Sequence, residues 1–129
     1  AKARVSSSKQ LKVIEENEFD ILIPQKTPEG YKNSYYTFAA VFNGEKYGID
    51  WHEFREKHIS FGGDGIFGAL QLVGNEPSFK YNKIGWGITP IAKELQRKLM
   101  LFTTNQANDA EINIQIEALH NTIKYFKKF

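Results

Sequence analysis

The run Gly62-Gly63-Asp64-Gly65 places one carboxylate among three glycines, and this composition gives it the clearest capacity for chemistry in the chain. Glycine reaches positive φ at little cost and lets a ligand or another chain approach the backbone closely. A second carboxylate, Glu76, follows an apolar segment, so the two could act as general acid and base if the fold brought them together. Their spacing does not show that they converge, and surface or capping roles are the alternative.

A phosphate site is only weakly indicated at this run. Gly63-Asp64-Gly65 is a lone G-x-G, with Ala69 late in the stretch where a dinucleotide-binding fingerprint has glycine. The glycines also follow a predicted helix, so they do not present the positive end of a helix dipole to an anion. A helix stop followed by a turn is the simpler interpretation.

The three histidines do not predict a metal site. His52, His58 and His120 include no pair at a spacing that would bind one metal ion from one helix face. We expect His52 to be exposed and His58 to lie on the inner face of its helix. We predict no metal-binding residue in this chain, and no catalytic residue either.

Four helices are predicted from apolar spacing and capping residues. Residues 1–16 form the first, with Val5, Leu11 and Ile14 as a thin apolar stripe. Asp50 and Glu53 form a reciprocal cap for the second, and Gly62 ends it. Its predicted inner face contains Trp51, Phe54, His58 and Phe61.

The last two helices begin at equally clear signals. Thr89-Pro90 opens the third, whose apolar face is predicted to contain Ile91, Leu95, Leu99 and Phe102. Asn108, with Glu111 three residues later, opens the fourth. Its apolar stripe contains Ile112, Ile116, Leu119, Ile123 and Phe126.

Three strands are predicted between these helices. Residues 20–24 are a short apolar run stopped by Pro24, which is typical of an edge strand. Residues 34–42 alternate with period two and place Tyr36 on the same inward face as Phe38, although Tyr31, Tyr35 and Tyr36 could instead stack on a sugar or base. Residues 66–73 are the third. The predicted order is α-β-β-α-β-α-α, an α+β domain with an antiparallel sheet of about three strands and helices on one face.

Length and charge limit the classes of function. At 129 residues the chain fits one domain, which we divide into a linking helix over residues 1–16 and an α+β body over 17–129. A net charge of +2 is too small to predict nucleic acid as a partner, and no window reaches the ~20 apolar residues of a membrane span. The chain has no cysteine, which is compatible with the cytoplasm, where we place it. Because it begins at Ala1 within a predicted helix, we expect a larger parent protein.

Several segments in order resemble the C-terminal part of the DegT/DnrJ/EryC1/StrS family of sugar aminotransferases. They cover the chain from about residue 20 to its end. The segments are Leu22-Ile23-Pro24-Gln25, Pro28-Glu29-Gly30-Tyr31, Ser34-Tyr35-Tyr36-Thr37-Phe38, Trp51-His52-Glu53-Phe54-Arg55, Gly62-Gly63-Asp64-Gly65-Ile66, Glu76-Pro77 with Phe79, Pro90-Ile91-Ala92-Lys93-Glu94-Leu95-Gln96, Leu99 with Met100, and Thr104-Asn105.

The resemblance implies the small C-terminal domain of a type I aminotransferase fold. In that family the pyridoxal phosphate, its lysine and its phosphate clamp belong to an N-terminal large domain, so this chain would bind no cofactor and be inactive alone. It would form part of the cleft for a nucleotide-linked keto sugar in a parent that dimerises. The implied substrate-binding residues are Gly63, Asp64, Gly65, Phe67, Gln71 and Glu76.

Two alternatives to this function stay open. The chain departs from family members with an aromatic-rich stretch after the glycine run, because it has Leu70, Val73, Gly74 and Asn75 there. Some members of the family dehydrate sugars instead of aminating them, having replaced the lysine, so the small domain of such a dehydratase is one alternative. The other is a stand-alone module that binds a sugar nucleotide or a protein.

Overall fold

A computed structural model describes residues 2–68, 72–82 and 87–128. Its helices and strands follow one another in an order that differs in part from the predicted one. They are α1 (Lys2–Glu16), β1 (Leu22–Pro24), β2 (Phe38–Phe42), a 3₁₀ turn (Gly44–Tyr47), α2 (Trp51–Ser60), a second 3₁₀ turn (Val73–Asn75), α3 (Pro77–Asn82), α4 (Pro90–Lys98), β3 (Leu99–Phe102) and α5 (Asp109–Lys127).

The three strands form one antiparallel sheet in the order β1-β2-β3, which confirms the predicted fold class. Leu22 pairs with Phe42 on one side of β2, and Phe38 pairs with Phe102 on the other. Strand β1 lies at an edge, where Pro24 is tolerated because the side that pairs with nothing needs no N–H donor.

The core lies on one face of this sheet, against α1, α2 and α5. Phe54 of α2 is fully buried, with its ring 5.5 Å from that of Phe42 and 5.7 Å from that of Phe126. These contacts join strand β2, helix α2 and helix α5 through three aromatic rings. The remaining buried apolar residues of this cluster are Val13, Ile14, Ile21, Leu22, Phe38, Ala40, Ile49, Ile66, Met100, Phe102, Leu119 and Ile123.

The predicted helix caps of α2 and α5 are confirmed. The backbone N–H of His52 donates to the Asp50 carboxylate at 2.8 Å, and Glu53 accepts from the Asp50 N–H at 3.5 Å. At α5, the Asn108 side-chain oxygen accepts from the N–H of Glu111 at 2.9 Å. Such bonds satisfy N–H groups that have no partner within the first turn of a helix.

Strand β2 is shorter than predicted. It begins at Phe38, and the inward placement of Tyr36 is wrong because this side chain is 92% exposed. Tyr35 has φ of 52°, a left-handed conformation that a continuous strand cannot contain. Phe38, Ala40 and Phe42 do lie buried on one face, as the alternation predicts.

The third strand is not where the sequence predicts it. Leu99–Phe102, predicted as the end of a helix, forms β3, and α4 stops at Lys98. Within the predicted strand at 66–73, Phe67 makes an isolated bridge with Leu101, Val73 lies in a 3₁₀ turn, and residues 69–71 are outside the described part of the chain. Leu and Met are good helix formers, and it is the pairing of Leu99–Phe102 with β2 that makes this segment a strand; the local sequence does not show that pairing.

The inner faces of α1 and α2 differ in part from the predicted ones. Helix α1 packs against α5 and buries Ile14 as predicted, together with Val13 and the polar side chains of Ser6, Ser7 and Gln10, whereas Val5 is 46% exposed. In α2, Phe54 and His58 are buried as predicted, but Phe61 is 40% exposed after the last helical residue.

Candidate ligand groove

The glycine run begins at the point where α2 ends. Gly62 has φ of 89°, the left-handed conformation of a helix C-cap, and its N–H donates to the Ile59 carbonyl at 2.9 Å. The N–H of Gly63 donates to the His58 carbonyl at 3.0 Å. The predicted helix stop at Gly62 is therefore confirmed, and the chain leaves α2 in a fixed direction.

Gly63 is required by packing. A Cβ atom at this position would overlap the His58 imidazole, which is buried and lies edge-on to the Phe102 ring at 5.9 Å. Gly65 lies next to Arg55, whose Nε donates to the Ile66 carbonyl at 3.0 Å. These contacts hold the extended segment after α2 against the helix it has just left.

Asp64 connects this segment to the end of β3. Its carboxylate accepts a hydrogen bond from the Thr103 hydroxyl at 2.7 Å and a longer one from the Gln106 amide at 3.4 Å. Its backbone N–H donates to the Gln115 side-chain oxygen of α5 at 2.6 Å. Gln106 is buried and in turn accepts from Ser6 of α1 at 3.1 Å. Asp64 is thus the centre of a polar network that joins three helices to one strand end.

His58 is the titratable group most strongly affected by this arrangement. Burial lowers its pKa from 6.5 to about 4, because the charged ring would lose its hydration. The nearby Asp64 carboxylate and the Ala118 backbone act in the opposite direction but do not compensate for burial. Its Nδ1 is buried without a hydrogen-bond partner. The neutral ring is therefore the form that fits the folded protein.

A groove of about 270 Å³ opens beside the network. Phe67 forms one part of its wall and is held by two backbone hydrogen bonds with Leu101, of 3.0 and 2.7 Å. The groove is lined by Tyr36, Thr37, Phe67, Phe102, Thr103, Thr104 and Asn105. None of these side chains is charged, so the groove favours a neutral ligand.

The predicted substrate-binding residues are only partly brought together. Phe67 lines the groove, and Asp64 reaches it through its hydrogen bond to Thr103. Gly63 and Gly65 position the same segment from behind. Glu76 is exposed just before α3, and among the described residues no hydrogen bond joins it to the Asp64 network. Gln71 lies outside the described residues.

Six of the seven groove residues are not among the predicted substrate-binding residues, and Phe67 is the exception. Tyr36 was expected inside the core, with a stacking role only as the alternative, while Thr103, Thr104 and Asn105 follow a strand that was predicted as helix. The pair of threonines followed by asparagine after an apolar run is the sequence signal for this edge. It becomes informative only once Leu99–Phe102 is known to be a strand.

Other kinds of site can be searched for only in the described ranges. Over residues 2–68, 72–82 and 87–128, no group of three metal-ligating side chains converges on one point. In the same ranges, no helix combines the length and the apolar character needed to cross a bilayer. The groove is the concave surface that contains one predicted site residue, Phe67, and lies next to another, Asp64.

Known structures share this fold over nearly the whole chain. The aminotransferase TlmJ from Streptoalloteichus hindustanus superposes with a TM-score of 0.66 at 14% identity, covering 96% of this chain and 31% of its own. Spr1654 from Streptococcus pneumoniae, described as a sugar aminotransferase, gives a TM-score of 0.59 in its PMP form and 0.60 in its apo form, at 10% identity. Its two structures cover 95% and 98% of this chain and 32% and 33% of their own.

At these identities the likeness establishes the fold and no more. The chain spans about a third of the length of the aminotransferases that it matches. No protein-family model matches the sequence, and no curated sequence is significantly similar to it.

Proposed function

We propose that this chain is the small C-terminal domain of a pyridoxal-phosphate-dependent aminotransferase that acts on a nucleotide-linked keto sugar. The observation that carries the proposal is the coverage: 95 to 98% of this chain superposes on about a third of each neighbour. The ordered motifs that resemble the DegT/DnrJ/EryC1/StrS family support it independently, because they were identified from residues and not from shape.

The chain itself would supply a wall of the substrate cleft. The described residues of the groove include neither a lysine for a Schiff base nor a cation for a phosphate group, so they do not fit pyridoxal phosphate. The cofactor, which supplies the electron sink for amino transfer, would be held by the N-terminal large domain. Asp64 would keep the Thr103 hydroxyl oriented at the edge of the groove, and Phe67 would limit the space beside it.

An uncovered apolar surface supports a missing partner domain. Helix α4 buries none of its residues, and Ile91 within it and Ile88 just before it are 82% and 94% exposed. Monomeric proteins rarely expose apolar side chains in groups, and such groups often mark contacts with other domains or subunits. The large domain of the same parent, or the second subunit of a homodimer, would cover this side in the cytoplasmic enzyme.

The test uses the full-length parent protein. We expect the purified protein to bind pyridoxal phosphate through a lysine upstream of residue 1 and to transfer an amino group from an amino acid to a nucleotide-linked keto sugar. Borohydride reduction, followed by peptide mass mapping, would locate the lysine. A parent that binds the cofactor but lacks this lysine and dehydrates the sugar would indicate the dehydratase instead. A parent with no cofactor site would contradict both enzymes.

The groove with its exposed aromatic side chains favours one second candidate. The chain would then be a stand-alone module that binds a sugar nucleotide. Titration of the 129-residue chain with UDP-glucose separates the two functions. Micromolar affinity of the isolated chain for UDP-glucose, clearly tighter than its affinity for uridine, would support the module. A dependent domain would bind the two alike, and would gain contacts to the phosphates and the sugar only in the presence of the large domain.

A further inference from the structure

The groove has two aromatic side chains whose exposure the core does not explain. Tyr36 is 92% exposed and Phe67 is 58% exposed, yet both line the same groove of about 270 Å³. Among the described residues, neither ring packs against another aromatic ring. Exposed aromatic side chains that share a concave surface can enclose a planar ligand, because each offers a flat apolar face.

Both aromatic side chains are attached to backbone that is held in place. The Thr104 hydroxyl is within 2.8 Å of the Tyr35 carbonyl and 2.9 Å of the Tyr36 carbonyl, to which its proton can be donated. Thr104 is buried, so this anchor is part of the fold. Phe67 is fixed by its paired backbone hydrogen bonds with Leu101. The backbone that carries the two rings is therefore ordered before a ligand arrives, and the side-chain rotamers are what binding has still to fix.

The polar side chains of the groove select a neutral ligand with hydrogen-bonding groups. Asn105 is exposed, and among the described residues its amide makes no hydrogen bond, so a donor and an acceptor are available together. Thr103 already donates its proton to Asp64 and accepts from Gln106 at 2.9 Å, which fixes its orientation. Among the described residues that line the groove there is no lysine or arginine, so a phosphate group would find no counter-charge on them.

The volume limits what can enter. Sites for drug-sized ligands occupy roughly 300–1,000 Å³, and about 270 Å³ lies just below that range. One heterocyclic ring fits such a space, whereas a nucleotide with its sugars and phosphates does not. The ligand is therefore one end of a larger molecule, or a small ring by itself.

From these four observations we propose that the groove binds a nucleobase, stacked on Tyr36 and Phe67, with Asn105 contacting the polar edge of the base. A base is favoured over a saturated sugar because its π face stacks on aromatic side chains and its edge pairs donor with acceptor, as an amide does. The inference rests on the proposed function in one respect, since a nucleotide-linked substrate is what would bring the base to this groove.

The experiment is a titration of the ¹⁵N-labelled 129-residue chain with uridine, cytidine and adenosine, with methyl glucoside as the comparison ligand. We expect saturable shifts of the backbone amide signals of Tyr36, Phe67, Thr103 and Asn105 with at least one nucleoside, and none with methyl glucoside. Nucleosides carry no phosphate, so the shifts would report on the base and its ribose alone.

Two substitutions assign the binding to the aromatic walls. Tyr36→Ala and Phe67→Ala should each weaken nucleoside binding about tenfold, which corresponds to the loss of one stacking contact. Tyr31→Ala is the matched control, because Tyr31 is also exposed, at 74%, but does not line the groove. Tyr36→Phe keeps the ring and should retain binding, which separates loss of stacking from loss of folding.

The proposal is overturned if no nucleoside shifts these signals, if methyl glucoside shifts them equally, or if Tyr36→Ala and Phe67→Ala bind like the wild-type chain. If one of these results is obtained and the full-length parent is an active aminotransferase, the proposed function stands and the base binds elsewhere. If the 129-residue chain binds a nucleoside but the full-length parent lacks aminotransferase activity, the nucleobase site stands and the proposed function is wrong.

Discussion

Helices α5 and α4 carry similar amphipathic patterns but have opposite fates in the fold. Helix α5 runs for 19 residues and buries its apolar stripe, with Ile112, Leu119 and Ile123 almost completely inaccessible. Helix α4 runs for nine residues and buries none, and Ile91 is 82% exposed. Both begin where the sequence predicts, after Asn108 and Thr89, although only Asn108 makes a capping hydrogen bond with its side chain.

The difference between them shows what an apolar stripe does and does not predict. A stripe at helical spacing predicts a helix with one face that avoids water, but it does not name the surface that covers this face. In α5 the sheet and two other helices cover it. In α4 no described residue buries this face. The exposed face is therefore an argument that a domain or subunit outside this chain covers it.

Removing a buried side chain from α5 should have the largest effect. Ile123→Ala is expected to lower the free energy of unfolding by about 2–5 kcal/mol, because Ile123 is fully buried and its loss leaves a cavity. Ile114→Ala is the matched control on the same helix, where the side chain is 50% exposed, and should cost less than about 1 kcal/mol. Urea denaturation measures both, and equal losses would contradict the assigned burial of α5.

The pH dependence of stability should come next in size. His58 has a pKa of about 4 in the folded protein against an ordinary value of 6.5, so the unfolded chain binds more protons between these values. Stability is therefore complete above about pH 6.5 and falls as the pH decreases toward 4, by about 3 kcal/mol in total.

The measurement is chemical denaturation at a series of pH values. His58→Gln should remove this slope, whereas His52→Gln, an exposed position of the same helix, is the matched control. A slope that survives in His58→Gln would mean that the ring is not buried in its neutral form.

Adding one methyl group to the glycine run should lower the free energy of unfolding by an intermediate amount. Gly63→Ala would force a Cβ atom into the buried His58 ring, at an expected cost of about 1–3 kcal/mol. Gly87→Ala is the control, because nothing lies within 4 Å of a Cβ atom there. Thermal unfolding of both variants tests the close approach, and a Gly63→Ala variant as stable as the wild-type chain would disprove it.

The smallest effect is expected on α4. Ile91→Ala should change the free energy of unfolding of this chain by no more than about 0.5 kcal/mol, because the side chain is already in water. In the full-length parent the same change should be clearly destabilising if a domain or subunit covers α4. A large loss in the isolated chain would show that α4 packs on the body in solution and would remove the contrast with α5.

Local signals in the sequence were sufficient for much of the fold. The capping pairs Asp50 with Glu53 and Asn108 with Glu111 act over three residues, so their outcome depends little on the rest of the chain. Gly62 ended α2 for the same reason, since a left-handed residue is needed at that point whatever packs nearby. The fold class followed from these boundaries.

The candidate site was predictable only in part. Asp64 is singled out by the glycine run and Phe67 by the family resemblance, but their partners Thr103 and Tyr36 lie far away in the sequence. Leu99–Phe102 has spacing compatible with a helix, and only its pairing with β2 makes it a strand. Once that strand is known, the threonines and Asn105 at its end fall beside Tyr36.

The sequence alone determined where α2 and α5 begin, that α2 ends at the glycine run, and that the alternating residues of β2 and the stripe of α5 avoid water. These properties arise from interactions between residues close along the chain, such as capping hydrogen bonds and the backbone conformation that a residue type favours. Tertiary structure decided that Leu99–Phe102 is a strand, that Asp64 meets Thr103, and that Tyr36 and Phe67 share a groove. Each of these depends on long-range pairing, whose free energy comes from burial and hydrogen bonds between distant segments and is not encoded in any local pattern.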